Sequence, residues 1–302
     1  AGRGGFTSAR PITLSNANIY IRRPQQRALV LNTPFSLIRT IGKASLPEYR
    51  YMSFAEGAKH FNSIYTPGAT PVSGKYKGRN VVLIIWESFA REWVGGLNKD
   101  VEGYTGFTPF IDSLMSKSFV FKNGYSNGQK SIDAMPSIFT SIIKPSAPFV
   151  LSIYSGNEIP ALPARLDSMG YSTAFFHGAP NGSMGFDAFV MQAGIKKYYG
   201  KTEYNNDDDY DGTWGIWDEK FLQYVAKELG KLPQPFFAAE FTLSSHHPFR
   251  VPKEYEGKFP KGTHPMHQVI GYTDMALRRF FETASKQPWY NNTLFVIVAD
   301  HA

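Results

Sequence analysis

Two apolar, strand-like runs in this chain end in residue types that commonly serve as metal ligands. Residues 80–87 read NVVLIIWE and residues 293–301 read TLFVIVADH. Short continuous apolar runs of this kind predict strands that are buried on both faces of a parallel sheet. Ligands of open α/β sheets bind beyond the carboxyl ends of the strands, so Glu87, Asp300 and His301 are expected to converge there. The sequence therefore predicts a metal-dependent site on an α/β sheet.

Strand-like and helix-like patterns alternate from Asn80 to the end of the chain. Two further strand-like runs cover residues 172–176 and 235–243. Helical periodicity covers residues 108–117, 131–143, 161–169, 215–229 and 267–287. This order predicts an α/β fold with a mostly parallel central sheet and helices on both faces.

The first quarter of the sequence lacks this alternation. Residues 1–75 contain scattered Pro, Asn and Arg, a Pro67-Gly68 turn signal and little periodicity. We interpret them as an extended N-terminal arm that leads into a catalytic domain over residues 76–302.

Composition narrows the class of partner. The formal net charge of +7 and the pI of about 9.3 favour anionic partners such as phosphate esters or anionic lipid headgroups, although a solvated basic surface is an equal alternative. The basic residues are scattered, without an arginine-rich helix, so no nucleic-acid partner is predicted. The absence of cysteine excludes disulfides, thiolate metal sites and a cysteine nucleophile. No apolar run approaches the ~18 residues of a membrane-spanning helix.

Ser131 opens an amphipathic helical pattern, SIDAMPSIFTSII, and follows Gly128-Gln129-Lys130. The start of a helix favours anions, because its first N–H groups are unpaired and the helix dipole is positive there. Ser131 is therefore a candidate nucleophile or phosphate contact. The alternative is a plain N-cap, a position at which serine is common.

The acidic and imidazole candidates also have structural alternatives. Asp300 and His301 together suit zinc, manganese or iron, but Asp300 could instead cap a following helix. Glu87 could pair with Arg91, one helical turn further along the chain. The recurrence of such residues after several strands favours the shared metal site.

Three histidines follow predicted strands. His246 and His247 lie in TLSSHHPF, where Pro248 holds the preceding residue extended, and either imidazole could contact substrate or transfer a proton near neutral pH. His177 lies in FFHGAPNG, whose loop-forming residues predict that it lines a crevice rather than the core.

Seven ordered motifs between Asn80 and Ala302 resemble the extracellular catalytic domain of the lipoteichoic acid synthase family, in the sulfatase-like branch of the alkaline phosphatase superfamily. They are NVVLIIWES, TPFIDSL, GQKSIDAMPSIF, GYSTAFFHG, WGIWDE, TLSSHHPF and VADHA. The resemblance implies one divalent ion, manganese before zinc or magnesium, held by Glu87, Ser131, Asp300 and His301. It implies that Ser131 attacks a phospholipid such as phosphatidylglycerol, releases diacylglycerol and carries phosphoglycerol to an acceptor hydroxyl. It makes His246 the proton donor and His177 and His247 substrate contacts.

The resemblance also implies what lies outside these residues. Membrane-anchoring helices are expected before Ala1, with the catalytic domain facing the periplasm or the extracellular space. Further strands are expected after Ala302.

The sequence departs from the family at two places. The family often has threonine where Ser131 stands, and the tryptophan and arginine that grip glycerophosphate are absent from residues 179–186. We therefore expect a single transfer to a glycan or lipid rather than polymerisation. Phosphoethanolamine transfer, hydrolysis and a non-catalytic module that binds anionic lipid or glycan are alternatives. A true sulfatase is not expected, because Ser131 is not followed by x-Pro-x-Arg.

Overall fold

A five-stranded parallel sheet forms the centre of the molecule. The computed structural model describes residues 14–21, 26–42, 46, 48–62, 68, 74, 77–144 and 147–302. The strands of these residues are β1 (Asn80–Trp86), β2 (Ser172–His177), β3 (Lys197–Tyr199), β4 (Phe236–Phe241) and β5 (Thr293–Ala299). They lie in the order β3-β2-β4-β1-β5, and every neighbouring pair is parallel. The predicted α/β class is confirmed.

Helices connect the strands and cover the sheet. In chain order the α-helices of the described residues are α1 (Arg27–Val30), α2 (Thr33–Thr40), α3 (Phe54–His60), α4 (Pro109–Met115), α5 (Ser131–Thr140), α6 (Leu162–Ser168), α7 (Phe186–Gln192), α8 (Lys201–Tyr204), α9 (Asp218–Leu229) and α10 (Met266–Ala284).

Alternate side chains of β1 enter two separate hydrophobic clusters, one on each face of the sheet. Val82, Ile84 and Trp86 pack on the side of α9 and α10. Leu83 and Ile85 pack on the side of α5, α6 and α7. This alternation follows from the two-residue period of a strand, and burial on both faces explains why the run is continuously apolar.

The described part of the N-terminal region is not an extended chain. A 3-10 helix at Leu14–Tyr20 contacts α7, and its Leu14 and Ala17 are buried. Arg27 donates a hydrogen bond of 2.8 Å to the carbonyl of Ser155. The expectation of an extended arm is therefore wrong for these residues, because apolar side chains and a cation find partners on the main domain. The boundary at residues 75 and 76 stays a prediction.

The topology brings three chain segments to one edge. β1 lies between β4 and β5, so the segments that follow these three strands emerge side by side. No helix among the described residues is long and apolar enough to cross a lipid bilayer.

Candidate active site

Glu87 follows β1 directly and is held by the neighbouring strand ends. Its backbone N–H donates to Thr242 Oγ1 at 2.9 Å, and its carbonyl accepts from Ser245 Oγ at 2.5 Å. Both partners lie just beyond β4 and are fully buried. These hydrogen bonds fix the backbone from which the carboxylate projects. Only 1% of Glu87 is exposed.

Asp300 and His301 lie beside Glu87, because β5 pairs with β1 up to Trp86 and Ala299. One ligand atom from each of Glu87, Asp300 and His301 lies within 4.8 Å of the others. His301 Nε2 is 3.6 Å from Glu87 Oε1 and 3.3 Å from Asp300 Oδ2. The sequence prediction that these three residues converge agrees with this geometry.

The donor set fits a divalent cation. Asp300 Oδ1 accepts from the N–H groups of Ser88 and His301, each at 2.7 Å, whereas Oδ2 is buried and makes no hydrogen bond within the described residues. A buried carboxylate oxygen without a hydrogen bond needs a nearby positive charge or a proton, and the charged group that faces Asp300 Oδ2 is the His301 ring, whose Nε2 is 3.3 Å away. Two carboxylates and an imidazole are ligands that zinc and manganese accept.

The ionisation of the three groups reflects their crowding. Burial by itself would raise the pKa of Glu87, but contacts with His301 and Ser88 lower that pKa to about 2. Burial, followed by the negative charge of Glu87, raises the pKa of Asp300 to about 7. The contact with the Glu87 carboxylate raises the pKa of His301 to about 9 against the effect of burial. Without a cation the cluster therefore retains protons at neutral pH.

Ser131 does not act as a cap. It is the first residue of α5, Lys130 occupies the N-cap position, and no side chain caps this helix. The Ser131 hydroxyl instead donates to Glu87 Oε2 at 2.9 Å. Its oxygen is thus next to the proposed cation ligands, and the capping alternative is wrong.

The alternative that Glu87 forms an ion pair with Arg91 is also wrong. Arg91 donates to the carbonyl of Leu97 at 2.9 Å, while the Glu87 carboxylate is engaged by Ser88 and Ser131.

A cavity of about 420 Å³ opens beside Ser131. His246 and His247 line it together with Glu87, Ser131 and His301, so both histidines after β4 reach the site. Lys130 places a cation at the wall. Ser88 and Gln129 also line the cavity, and the apolar part of the wall is formed by Ile132, Met184, Phe249 and Met266. The cavity thus combines groups that suit a phosphodiester with a surface that suits an apolar body.

His177 is not among the residues that line this cavity. It is the last residue of β2, 0% exposed, and its ring contacts Phe175, Phe186 and Phe241. Its Nδ1 lies 3.4 Å from the Tyr198 hydroxyl. The expectation that it lines a crevice is wrong, because Phe186 at the start of α7 packs over the end of β2.

Ser88 is a site residue that the sequence reasoning missed. Its hydroxyl donates to Glu87 Oε1 at 2.7 Å, and its N–H donates to Asp300 Oδ1. Its φ of 54° lies in the left-handed region, which is uncommon for serine and recurs at functional sites. Only its place directly after Glu87 could have drawn attention to it.

Comparison with known proteins agrees with this arrangement. The family model described as sulfatase matches residues 79–302. The chain belongs to the sulfatase family. The match begins one residue before β1 and includes every strand and every candidate site residue of this sulfatase domain.

Curated relatives indicate the branch of the family. The chain is 27% identical over 235 residues to the lipoteichoic acid synthase-like protein YvgJ of Bacillus subtilis, a match that covers 76% of this chain and 37% of YvgJ. It is 29% identical over 243 residues to the lipoteichoic acid synthase of Staphylococcus saprophyticus, with 76% of this chain and 36% of that protein covered. The resemblance to the lipoteichoic acid synthase family is confirmed.

Solved structures share the fold. A protein of the alkaline phosphatase superfamily from Vibrio parahaemolyticus superposes with a TM-score of 0.67 at 27% identity, covering 74% of this chain and 54% of that one. The lipoteichoic acid synthase LtaP from Listeria monocytogenes superposes with a TM-score of 0.70 at 24% identity, covering 82% and 62%. The chain spans a little over a third of the length of the curated relatives it matches.

Proposed function

We propose that this sulfatase-family domain transfers phosphoglycerol from a phospholipid, phosphatidylglycerol, to a hydroxyl of a glycan or lipid. The observation that carries the proposal is the 2.9 Å hydrogen bond from Ser131 Oγ to Glu87 Oε2, next to Asp300 and His301. It brings a hydroxyl nucleophile against a set of cation ligands at the start of a helix. The curated relatives named lipoteichoic acid synthase support phosphoglycerol as the transferred group.

Glu87, Asp300, His301 and Ser131 would hold one divalent ion, for which we propose manganese before zinc or magnesium. When bound, the ion would lower the pKa of the Ser131 hydroxyl and offset the negative charge of the phosphate. Lys130 adds a positive charge at the same cavity wall.

The first half-reaction forms a phospho-serine. Ser131 gives its hydroxyl proton to water, and its Oγ bonds to phosphorus while the bond between phosphorus and the diacylglycerol oxygen breaks. His246 gives its proton to that oxygen, and diacylglycerol leaves. The apolar wall at Ile132, Met184, Phe249 and Met266 suits the lipid part of this leaving group.

The second half-reaction reverses the roles. The acceptor hydroxyl gives its proton to the now neutral His246 and bonds to phosphorus. The bond from phosphorus to Ser131 Oγ breaks, and Oγ takes a proton from water, which restores the serine hydroxyl. The tryptophan and arginine that the family uses to grip glycerophosphate are absent from residues 179–186, so we propose a single transfer rather than polymerisation.

The donor is a membrane lipid, so we propose that the domain works at a membrane surface that faces the periplasm or the extracellular space. Protease added to spheroplasts, from which the cell wall and any outer membrane have been opened, should digest the domain. Protection of the domain until the spheroplasts are lysed would contradict this location.

The test compares two lipid donors. Vesicles of phosphatidylglycerol and of phosphatidylethanolamine with the same acyl chains are incubated with the protein and Mn²⁺, and diacylglycerol is measured by mass spectrometry. We expect release from phosphatidylglycerol, its loss in Glu87→Gln, and no loss in Asp208→Asn, a change at an exposed residue of a short 3-10 helix. Release from phosphatidylethanolamine alone would indicate phosphoethanolamine transfer. The absence of release from either lipid would support a binding module.

A further inference from the structure

Trp214 lies directly against His246. The two ring centroids are 3.9 Å apart and the planes are inclined by 46°. Trp214 Nε1 donates a hydrogen bond of 2.5 Å to the carbonyl oxygen of His247. His246 Nδ1 lies 3.1 Å from the same oxygen. One backbone carbonyl thus joins the indole and the imidazole.

This arrangement determines which imidazole nitrogen can exchange a proton. A carbonyl oxygen accepts hydrogen bonds and cannot donate them, so Nδ1 must carry hydrogen when it bonds to His247. Nε2 has no hydrogen-bond partner within the described residues. Since His246 lines the cavity together with Ser131 and Glu87, Nε2 is the atom available to substrate.

Trp214 is itself held by a turn outside the cavity. Asp211 Oδ1 accepts from the N–H groups of Thr213 and Trp214, both at 2.7 Å, and of Gly215 at 3.1 Å. The Asp211 N–H donates to the carbonyl of Gly215 at 2.8 Å, and Tyr210 and Ile216 form an antiparallel bridge. The indole therefore has a position that does not depend on bound substrate.

We propose that Trp214 is a positioning residue for His246. Its ring and its Nε1–H hold the carbonyl of His247 and the imidazole in the arrangement that keeps hydrogen on Nδ1 and leaves Nε2 to give and take the proton. The effect on rate rests on the proposed function. The tautomer does not, because it can be observed without turnover.

The first test is long-range ¹H–¹⁵N NMR of the histidine rings, on the longest form of the protein that the gene encodes. The wild type should show His246 with hydrogen on Nδ1, with the signals assigned through His246→Gln. Folded Trp214→Ala should shift His246 toward hydrogen on Nε2, and Trp214→Phe should give an intermediate shift. The matched control is Trp217→Phe, because the Trp217 ring meets Tyr272 at 6.2 Å. In the neutral ring, hydrogen on Nε2 instead of Nδ1 in the wild type, or unchanged His246 signals in folded Trp214→Ala, would overturn the proposal.

The second test is a double-mutant cycle on diacylglycerol release. Trp214→Ala should lower kcat about 10- to 100-fold, the loss typical of a misplaced catalytic group, with KM changed less than about threefold. In the His246→Gln background the same substitution should cost little more, because the two residues act as one unit. Equal losses in both backgrounds would show that Trp214 does not act through His246. A wild type without transfer would contradict the proposed function and leave the tautomer measurement to decide this inference.

Discussion

Glu87 connects the parts of the candidate site at the scale of single residues. Its backbone is bonded to Thr242 and Ser245, and its carboxylate accepts from Ser88 and Ser131. These neighbours come from two strand ends and one helix start. The side chain therefore has a fixed orientation before any cation binds, which reduces the entropy lost on binding.

Binding of Mn²⁺ should become tighter as the pH rises. Burial and the charge of Glu87 raise the pKa of Asp300 to about 7, and the contact with Glu87 raises the pKa of His301 to about 9. Both groups must lose their protons to bind the cation. Isothermal titration calorimetry should therefore give an affinity at least about tenfold higher at pH 8 than at pH 6.

Asp300→Asn tests whether Mn²⁺ binds at this cluster. It removes the negative charge of the Asp300 side chain and should weaken Mn²⁺ binding by more than about tenfold. Asp167→Asn, at a partly exposed pair with Lys196, should leave binding unchanged. Equal affinity at both pH values, or full affinity in Asp300→Asn, would argue against a cation at this cluster.

At the scale of elements, Asp218 joins the start of α9 to the segment after β4. Its carboxylate accepts from the N–H groups of Leu243 and Ser244 and from Thr273 Oγ1 on α10. Ser244 Oγ accepts from the Asp218 N–H in return. These bonds orient the chain that leads to His246.

Burial of Asp218 should give the stability of the fold a distinct pH dependence. Burial raises its pKa to about 6, whereas an aspartate in an unfolded chain has a pKa of about 3.9. The folded state holds the proton more tightly, so this contribution to the free energy of unfolding is complete below about pH 4 and is lost as the pH rises through about 6. The side chain of Asp218→Asn cannot ionise. The variant should also lose about 1–3 kcal/mol of the free energy of unfolding, because its amide nitrogen cannot accept the hydrogen bond from Ser244 N–H.

Urea unfolding between pH 4 and pH 7 tests this prediction. The stability of the wild type relative to Asp218→Asn should fall across that range, while Asp208→Asn should track the wild type. A constant difference between the wild type and Asp218→Asn would show that Asp218 keeps its ordinary ionisation in the fold.

The elements themselves could largely be predicted from sequence. Four strands and five helices lie where the periodicity indicates, because long apolar runs and one-sided helical faces are strong patterns. β3 has only three residues and gave no usable pattern. The predicted helix at 131–143 ends early at Thr140, since Ser141 adopts a left-handed φ of 57°.

The candidate site could likewise be predicted only in part from the sequence. Glu87, Asp300 and His301 could be predicted because each directly follows a strand, and strand order then brings them together. The hydrogen bonds of Ser88 and Trp214 could not be predicted, because they depend on the geometry of the turns in which these residues lie. His177 was misjudged because strand position alone does not say which helix packs over it.

At the scale of the whole molecule, the sulfatase-family match covers residues 79–302, and the curated relatives extend well beyond the matched part. The described residues nevertheless place the candidate cation ligands, the candidate nucleophile and the histidine proposed for proton transfer at one sheet edge. The proposed reaction depends above all on a covalent phosphoglycerol ester at Ser131.

The most direct measurement is mass spectrometry of the peptide that contains Ser131, after brief incubation with phosphatidylglycerol and Mn²⁺ and rapid acid quenching. We expect a phosphoglycerol adduct on Ser131. Folded Ser131→Ala should give neither adduct nor diacylglycerol release, and Ser131→Thr should retain part of both, because threonine supplies the same oxygen. Loss of the hydrogen bond to Glu87 should cost only about 1–3 kcal/mol, so folding of the alanine variant can be checked by circular dichroism. Release of diacylglycerol by folded Ser131→Ala at a near wild-type rate would contradict the account and identify a hydrolase that uses water instead.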